Sequence, residues 1–278
     1  MRLSVVHTTS LTYSSLIAEE VMECRLGPLV DADQRWERFE LRSRPGGHIR
    51  SFVDGFGNMV YLVTVAPTHD FLELTTHSEV TTLLADPFAL PAFVARPLTP
   101  AERYDYLSPS SLVPPDARLK TVAAPYRAAV ESDQFDVVAH LRDWVHAELD
   151  FIAEATTVFT TVAEVLDSHA GVCQDFSHVL IGLCRAAGVP ARYVSGYVVR
   201  GDERDTAAAA SSHAWVEAYS PTHGWRGFDA TNNVLASERH VKIAIGRDYT
   251  DVSPTRGTYR GRAEASIKVE VAVSEIVS

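Results

Sequence analysis

Cysteine is scarce in this 278-residue chain: Cys24, Cys173 and Cys184 are the only three, an odd number with no paired spacing. That excludes a disulfide framework and fits a reducing compartment. No run of five like charges occurs, aromatic and basic residues do not interleave, and 36 acidic against 25 basic side chains give a formal charge of -11. Nucleic acid is therefore not an expected partner. No apolar run approaches bilayer-spanning length, so no membrane partner is expected. The first residues, Met1 to Thr8, lack the continuous apolar core and small-residue cleavage site of a secretory leader, and cytoplasmic localisation follows as the expectation. No calcium-binding loop is present. Cys173 and Cys184 lie about 16 Å apart along a helix axis, too far to share a metal. Neither a metal nor an organic cofactor is expected.

What is present is apolar: 46% of residues are hydrophobic, ample for the cores of two units. The texture reads as α+β. From Arg2 to about Leu84 it is strand-like, with period-two alternation in Leu3, Val5, His7, Thr9, Leu11 and Tyr13 and β-rich runs at Trp36–Leu41, Met59–Ala66 and Phe71–Leu84. Turn clusters at 44–47 and 54–58 separate them. Residues 1–85 are thus read as an amino-terminal antiparallel β-sandwich domain, in the role of a scaffold or substrate-shaping unit. Seven prolines make 86–116 a linker, with too many breaks for an uninterrupted helix. Residues 117–278 form the second domain, with helical patterns around Leu119–Glu131, Val137–Leu149 and Val162–Ser168. Strands follow at 192–199, 212–219 and 225–230, separated by a low-complexity loop at 201–211 that lies just before the next chemically interesting residue. The alternation of Ile267, Val269, Val271 and Val273 marks a carboxy-terminal strand extension returning to the β domain.

The segment the chain is organised around is Gly171-Val172-Cys173-Gln174-Asp175-Phe176. Behind it, Phe176, Val179, Leu180, Leu183, Cys184 and Ala187 hold the spacing of one buried helical face, which Gly188 and Pro190 end. Cys173 starts the same stripe, at the first turn, where unpaired N–H groups and the helix dipole favour a thiolate. That alone is insufficient. Bringing a thiol from about 8.5 to about 6 needs roughly 3.4 kcal/mol, and a helix terminus gives at best about 2. A cation must supply the rest, and histidine is the usual one. Most free cysteines are merely small buried hydrophobes, and Cys24 and Cys184 are read that way.

The histidine is His213. If the strands around 213–219 and 224–229 form a hairpin centred on Pro221, Glu217 falls opposite Trp225, Trp215 opposite Gly227 and His213 opposite Asp229. Opposite residues share a face with Cβ atoms about 4.5–5.5 Å apart, and a slip of two residues leaves them diagonal at about 7–8 Å. Asp229 would then fix the tautomer of His213 and stabilise imidazolium, leaving the second ring nitrogen for the thiol. His169, His178 and His223 have no such placement: His223 reads as a turn residue, and His178 lies about 140° round the helix from Cys173.

The segments GVCQDF, GVPARYVSGYV, HAWVEAYSPTHGW and FDATN, in this order, resemble the bacterial transglutaminase-like cysteine protease family of the wider transglutaminase and papain-like superfamily. LGPLVDADQ and DGFGNMV look like that family's amino-terminal β domain, and RHVKIAIGRDYTDVSPTRG is similar to its post-catalytic segment, so the resemblance spans nearly the whole chain. It implies a transglutaminase-like (papain-like) domain whose nucleophile helix packs on an antiparallel sheet. It also implies Cys173 as nucleophile, His213 as general base and acid, and Asp229 as orienting carboxylate. Ala230 departs from the proline common after the aspartate. Gln174, Asp175, Trp215 and Asp248 are further candidates for oxyanion or substrate contact. The Cys173 N–H supplies one oxyanion donor and a second is needed; Gln174 lies about 100° round the helix from Cys173. Asp175 is expected to pair with Arg192 or Arg256 as a structural ion pair, and Asp248 and Asp251 are placed beside the site.

The chemistry this predicts is attack of the Cys173 thiolate on an amide carbonyl, protonation of the departing amine by His213, and a thioester on the enzyme. The partner is a peptide or protein amide substrate. Resolution by water makes a peptidase or amidase, the preferred reading; resolution by an amine acceptor makes a transamidase of the glutamine–lysine crosslinking type. A non-catalytic binding or scaffold protein of the same fold is the rival from another class, and the complete Cys, His, Asp set stands against it.

Overall fold

The computed structural model describes residues 1–88, 96–131, 134–199 and 212–276. Five strands come first: β1 (Arg2–Cys24), β2 (Gln34–Arg44), β3 (His48–Val53), β4 (Met59–Val65) and β5 (His69–Thr82). Helices α1 (Pro100–Leu107), α2 (Ala117–Ala123) and α3 (Gln134–Glu148) follow, then β6 (Asp150–Phe151), α4 (Val162–Ser168), β7 (Ala170–Gly171) and α5 (Cys173–Ala187). Next are β8 (Ala191–Val198), β9 (Ser212–Ser220), β10 (Gly224–Asp229), β11 (Val234–Leu235) and β12 (His240–Gly246). After these come α6 (Tyr249–Val252), β13 (Thr255–Arg260) and β14 (Ala265–Glu275).

The amino-terminal unit is built on β1, whose alternating apolar residues Leu3, Val5, Leu11 and Tyr13 are buried. The first half of β1 pairs antiparallel with β5 on one side and β14 on the other, and its second half pairs with β4 and β13. Register shifts and a left-handed Glu19, φ 50°, mark where the strand passes from one sheet to the next. With β2 beside β5 and β3 beside β4, two antiparallel sheets share one strand and enclose Tyr13, Ile17, Met22, Val63 and Leu72. This is the sandwich the alternation predicts. The carboxy-terminal extension supplies two of its strands, β13 and β14, so the end of the 117–278 stretch belongs physically to the first unit.

Within the linker, residues 89–95 lie outside the described ones, and the prolines leave room for one short helix. Thr99 and Glu102 cap α1 reciprocally, with Pro100 in its first turn. The helical pattern over Leu119–Glu131 is broken at Pro125: α2 stops at Ala123 and short 3₁₀ turns follow.

In the second unit the sheet runs β11-β10-β9-β8-β12, antiparallel throughout. Helix α5 lies on it, and α2, α3 and α4 pack around the helix, so Val138, Leu141, Leu180, Leu183, Val216 and Phe228 share one core. The sequence predicts a single buried stripe on α5. The helix is instead buried nearly all round, because the sheet takes one side and three helices take the rest. Gly182 permits the closest approach: a Cβ there would lie 2.5 Å from Leu119 Cδ1 of α2.

Two side-chain amides join the units. Gln34 donates to Lys242 O at 2.8 Å and accepts from Lys242 N at 2.8 Å. Asn58 does the same with Ile245 O and N, both at 2.8 Å. They cover the outer edge of β12, an edge strand whose backbone groups need partners. Among the described residues no helix is long and apolar enough to cross a membrane.

Candidate active site

Cys173 is the first residue of α5, and the turn before it is fixed by Asp175. One carboxylate oxygen, Oδ2, accepts from Val172 N at 2.8 Å and from Thr156 Oγ1 at 2.6 Å, capping the helix and holding the 152–161 segment against it. Gly171 leaves room for this fold-back, since a Cβ there would sit 2.6 Å from Asp175 Cβ. The parallel β6–β7 pair sets the approach of the chain. Asp175 therefore contacts neither Arg192 nor Arg256. Arg192 faces Glu217 directly across β8 and β9 and donates to it at 2.8 Å. Burial pushes the Asp175 carboxyl above its usual range, against its hydrogen bonds.

His213 comes from β9 and Asp229 from the end of β10. The strands pair two residues away from the register centred on Pro221: Trp225 lies opposite Tyr219 and Phe228 opposite Val216. Pro221, Thr222 and His223 form a three-residue loop closed by Gly224 at φ 70°, so the hairpin pivots on Thr222. His213 and Asp229 are consequently diagonal, yet on one face, and His213 Nε2 lies 2.7 Å from Asp229 Oδ2. That leaves Nδ1 for Cys173. Burial lowers the His213 pKa, but hydrogen bonds with Asp229 and with the Cys173 thiol outweigh it and push the ring up to about 9. Asp229 is 0% exposed; burial opposes its charge, and His213 and His240 hold it well below the usual carboxylate range.

Sequence reasoning missed two members of this group. Asn232 donates from Nδ2 to Asp229 Oδ2 at 2.7 Å and from its backbone to Oδ1 at 3.0 Å. His240 Nδ1 accepts from Ser237 N at 3.2 Å, so Nε2 carries the proton and donates to Asp229 Oδ2 at 3.4 Å. Asn232 follows Asp229 by three residues and was legible as a turn cap. His240 reaches the site only because the segment after β11 crosses the sheet end to β12, which no local pattern announces.

The remaining candidates are engaged elsewhere. Trp215 is 1% exposed and lies beneath the site, stacked on His213 with ring centroids 6.2 Å apart and edge-on to His240 at 5.1 Å. It fixes ring orientation instead of meeting substrate. Gln174 turns its amide to Val158 O at 3.3 Å. Asp248 caps α6, accepting from Thr250 N at 2.9 Å, and holds Leu112 N at 3.0 Å. Asp251 pairs with Arg247 at 2.9 Å. Both are structural. The 201–211 loop lies outside the described residues.

Cys173 and His213 open onto a cavity of about 720 Å³. Phe151, Val198, Val199, Val234 and Leu235 form its apolar wall, and Arg239 stands among them. A partly exposed thiol, an imidazole held protonated by a buried carboxylate, and a cleft of this size suit nucleophilic attack on a carbonyl.

Comparison with known proteins agrees with this architecture. The model of the transglutaminase-like superfamily matches residues 120–230, and that of the bacterial transglutaminase-like N-terminal region matches residues 3–81. An uncharacterised protein of Mycobacterium leprae is 30% identical over 282 residues, covering 99% of each chain. The "Protein-glutamine gamma-glutamyltransferase" of Pseudomonas aeruginosa is 32% identical over 159 residues, which is 52% of this chain and 23% of that protein. In fold, the chain is similar to the crystal structure of "a Putative Cysteine Protease from Cytophaga hutchinsonii", with a TM-score of 0.77, 24% identity, and coverage of 100% of this chain and 92% of that one.

Proposed function

The chain belongs to the transglutaminase-like superfamily, and from that premise we propose that it is a thiol-dependent hydrolase of amide or peptide bonds. The observation that carries the proposal is the continuous line of Cys173, His213 and Asp229 at the edge of an open cleft. With Asp229 on Nε2, the His213 imidazolium presents Nδ1–H to the sulfur and sustains the thiolate. The thiolate adds to the carbonyl carbon, and the Cys173 backbone N–H, unpaired at the first turn of α5, donates to the developing oxyanion. Collapse breaks the C–N bond, and Nδ1 gives its proton to the departing amine. The thioester remains. Neutral His213 then takes a proton from water, whose oxygen displaces the sulfur and releases the carboxylic acid.

Transamidation is the second reading, favoured by the similarity over 159 residues to a protein named as a glutamine gamma-glutamyltransferase. It differs only in the nucleophile that resolves the thioester. We place the reaction in the cytoplasm, where a reducing environment keeps the three free cysteines as thiols; cell fractionation tests that setting.

The decisive experiment is iodoacetamide alkylation of Cys173 as a function of pH, followed by peptide mass spectrometry, in the native protein and in His213→Ala. Rapid modification of Cys173 below pH ~7, lost in the variant, is the expected result. Substrate screening with peptide amides, with and without amine acceptors, then separates hydrolysis from transamidation. An ordinary thiol profile in both proteins defeats the proposal.

A further inference from the structure

Arg239 is the residue of the cleft that the proposed chemistry leaves unused. It immediately precedes β12, and its carbonyl accepts from Val199 N at 3.0 Å, which extends the β8–β12 ladder and fixes the backbone there. The guanidinium has no hydrogen bond or ion pair among the described residues, although the chain as a whole carries a formal charge of -11. Several other arginines find carboxylates, among them Arg192 on Glu217, Arg247 on Asp251 and Arg118 on Asp116. No Asp or Glu lines the cavity among the described residues, and Asp229 is sealed behind His213. Beyond the Cys173, His213 and Asp229 group, Arg239 is therefore the one Arg, Lys, Asp or Glu that lines the cavity among the described residues.

The opposite character comes from the wall. Phe151 is 59% exposed and Val234 is 42% exposed, both large apolar side chains held open on the cavity. Val198, Val199 and Leu235 continue the surface. Ser212, Thr231, Asn232 and Ser237 add polar groups to this wall, and with a guanidinium unpaired among the described residues it suits a ligand that combines an apolar side chain with a planar anion, which arginine grips through two parallel N–H···O bonds.

We propose that Arg239 is an anion subsite of this cleft, and that the substrates are peptides in which a carboxylate accompanies an apolar side chain near the cleaved amide. This rests on the thiol-hydrolase reading above. The carboxylate belongs either to an acidic side chain or to a chain terminus, and the two sources share the same grip on the guanidinium.

The first test compares alkylation of Cys173 by iodoacetate and by iodoacetamide, two reagents of nearly one shape that differ in charge. The ratio of their rates cancels changes in thiol reactivity. In Arg239→Gln the iodoacetate-to-iodoacetamide ratio falls about three- to tenfold at low salt, while Arg239→Lys retains most of the native value. An unchanged ratio in Arg239→Gln overturns the subsite. The second test measures binding to Cys173→Ala of three peptides: acetyl-Leu-Gln-Gly-Leu-amide, its Glu analogue, and the Gln peptide with a free terminal carboxylate. Tighter binding of either acidic peptide, lost when Arg239→Gln is added, identifies the source of the carboxylate; equal affinity for all three overturns the substrate class. If the alkylation ratio responds while no amide is ever turned over, the hydrolase reading fails and the anion site stands. If amides are turned over without charge preference, only the present inference fails.

Discussion

Three side chains converge on Asp229, and the balance among them sets how His213 works. His213 and Asn232 each reach Oδ2 at 2.7 Å, while His240 approaches it at 3.4 Å with a proton that Ser237 forces onto Nε2. His240 thus adds a donor to the charged carboxylate and, with Trp215, walls in the imidazole. Replacing His240 by Ala removes one hydrogen bond to a charged group, and kcat falls about five- to tenfold with little change in KM. Turnover of a peptide amide, or the rate of Cys173 alkylation if turnover is slow, checks this. The protonation state of His213 carries its own prediction. Its folded pKa of about 9 lies above the ordinary 6.5, so the imidazolium contributes stability that is complete below about pH 6.5 and lost as pH rises through about 9. Cys173 reactivity relative to a free thiol follows the same alkaline limb. A native enzyme whose advantage vanishes near pH 7 contradicts the assignment.

At the level of elements, helix α5 decides where the thiol stands, and Gly182 packs it close against Leu119 of α2. Ala is a better helix former than Gly by about 1 kcal/mol, yet here the added methyl meets Leu119 Cδ1 at 2.5 Å. Gly182→Ala is expected to destabilise the protein by about 1–3 kcal/mol in urea unfolding; a gain in stability means that α2 yields easily. The start of α5 was legible because Gly171, the apolar spacing and Gly188 all act within a few residues. The hairpin was legible in kind but shifted by two, since Pro221 seemed its centre while Gly224 at positive φ made Thr222 the pivot. Asp175 was misassigned to an arginine for a related reason. Its partners Val172 and Thr156 are local, whereas the ion pair of Arg192 with Glu217 depends on the β8–β9 register, which residue types alone do not specify. His240 and Arg239 lay beyond reach altogether, because a crossing segment delivers them to the cleft.

For the molecule as a whole, the two units are fastened edge to face. Gln34 and Asn58 imitate a neighbouring strand, giving β12 both a donor and an acceptor at Lys242 and at Ile245. Gln34→Ala strips Lys242 N of its acceptor, although Leu29 N still donates to Lys242 O at 3.0 Å, and Asn58→Ala removes the partner of both Ile245 backbone groups; each costs about 1–3 kcal/mol in denaturant unfolding. Because β12 begins at His240, a cysteine-reactivity assay should register the same loosening; unaltered stability and reactivity together refute the coupling. The sandwich is joined in another way as well. Its central strand, β1, is flanked by β14 along its first half and β13 along its second, and both come after α5 and the whole five-stranded sheet. During synthesis β1 therefore waits with one edge unpaired while α5 and the five-stranded sheet are made, so the amino-terminal unit closes only after the second unit has been translated.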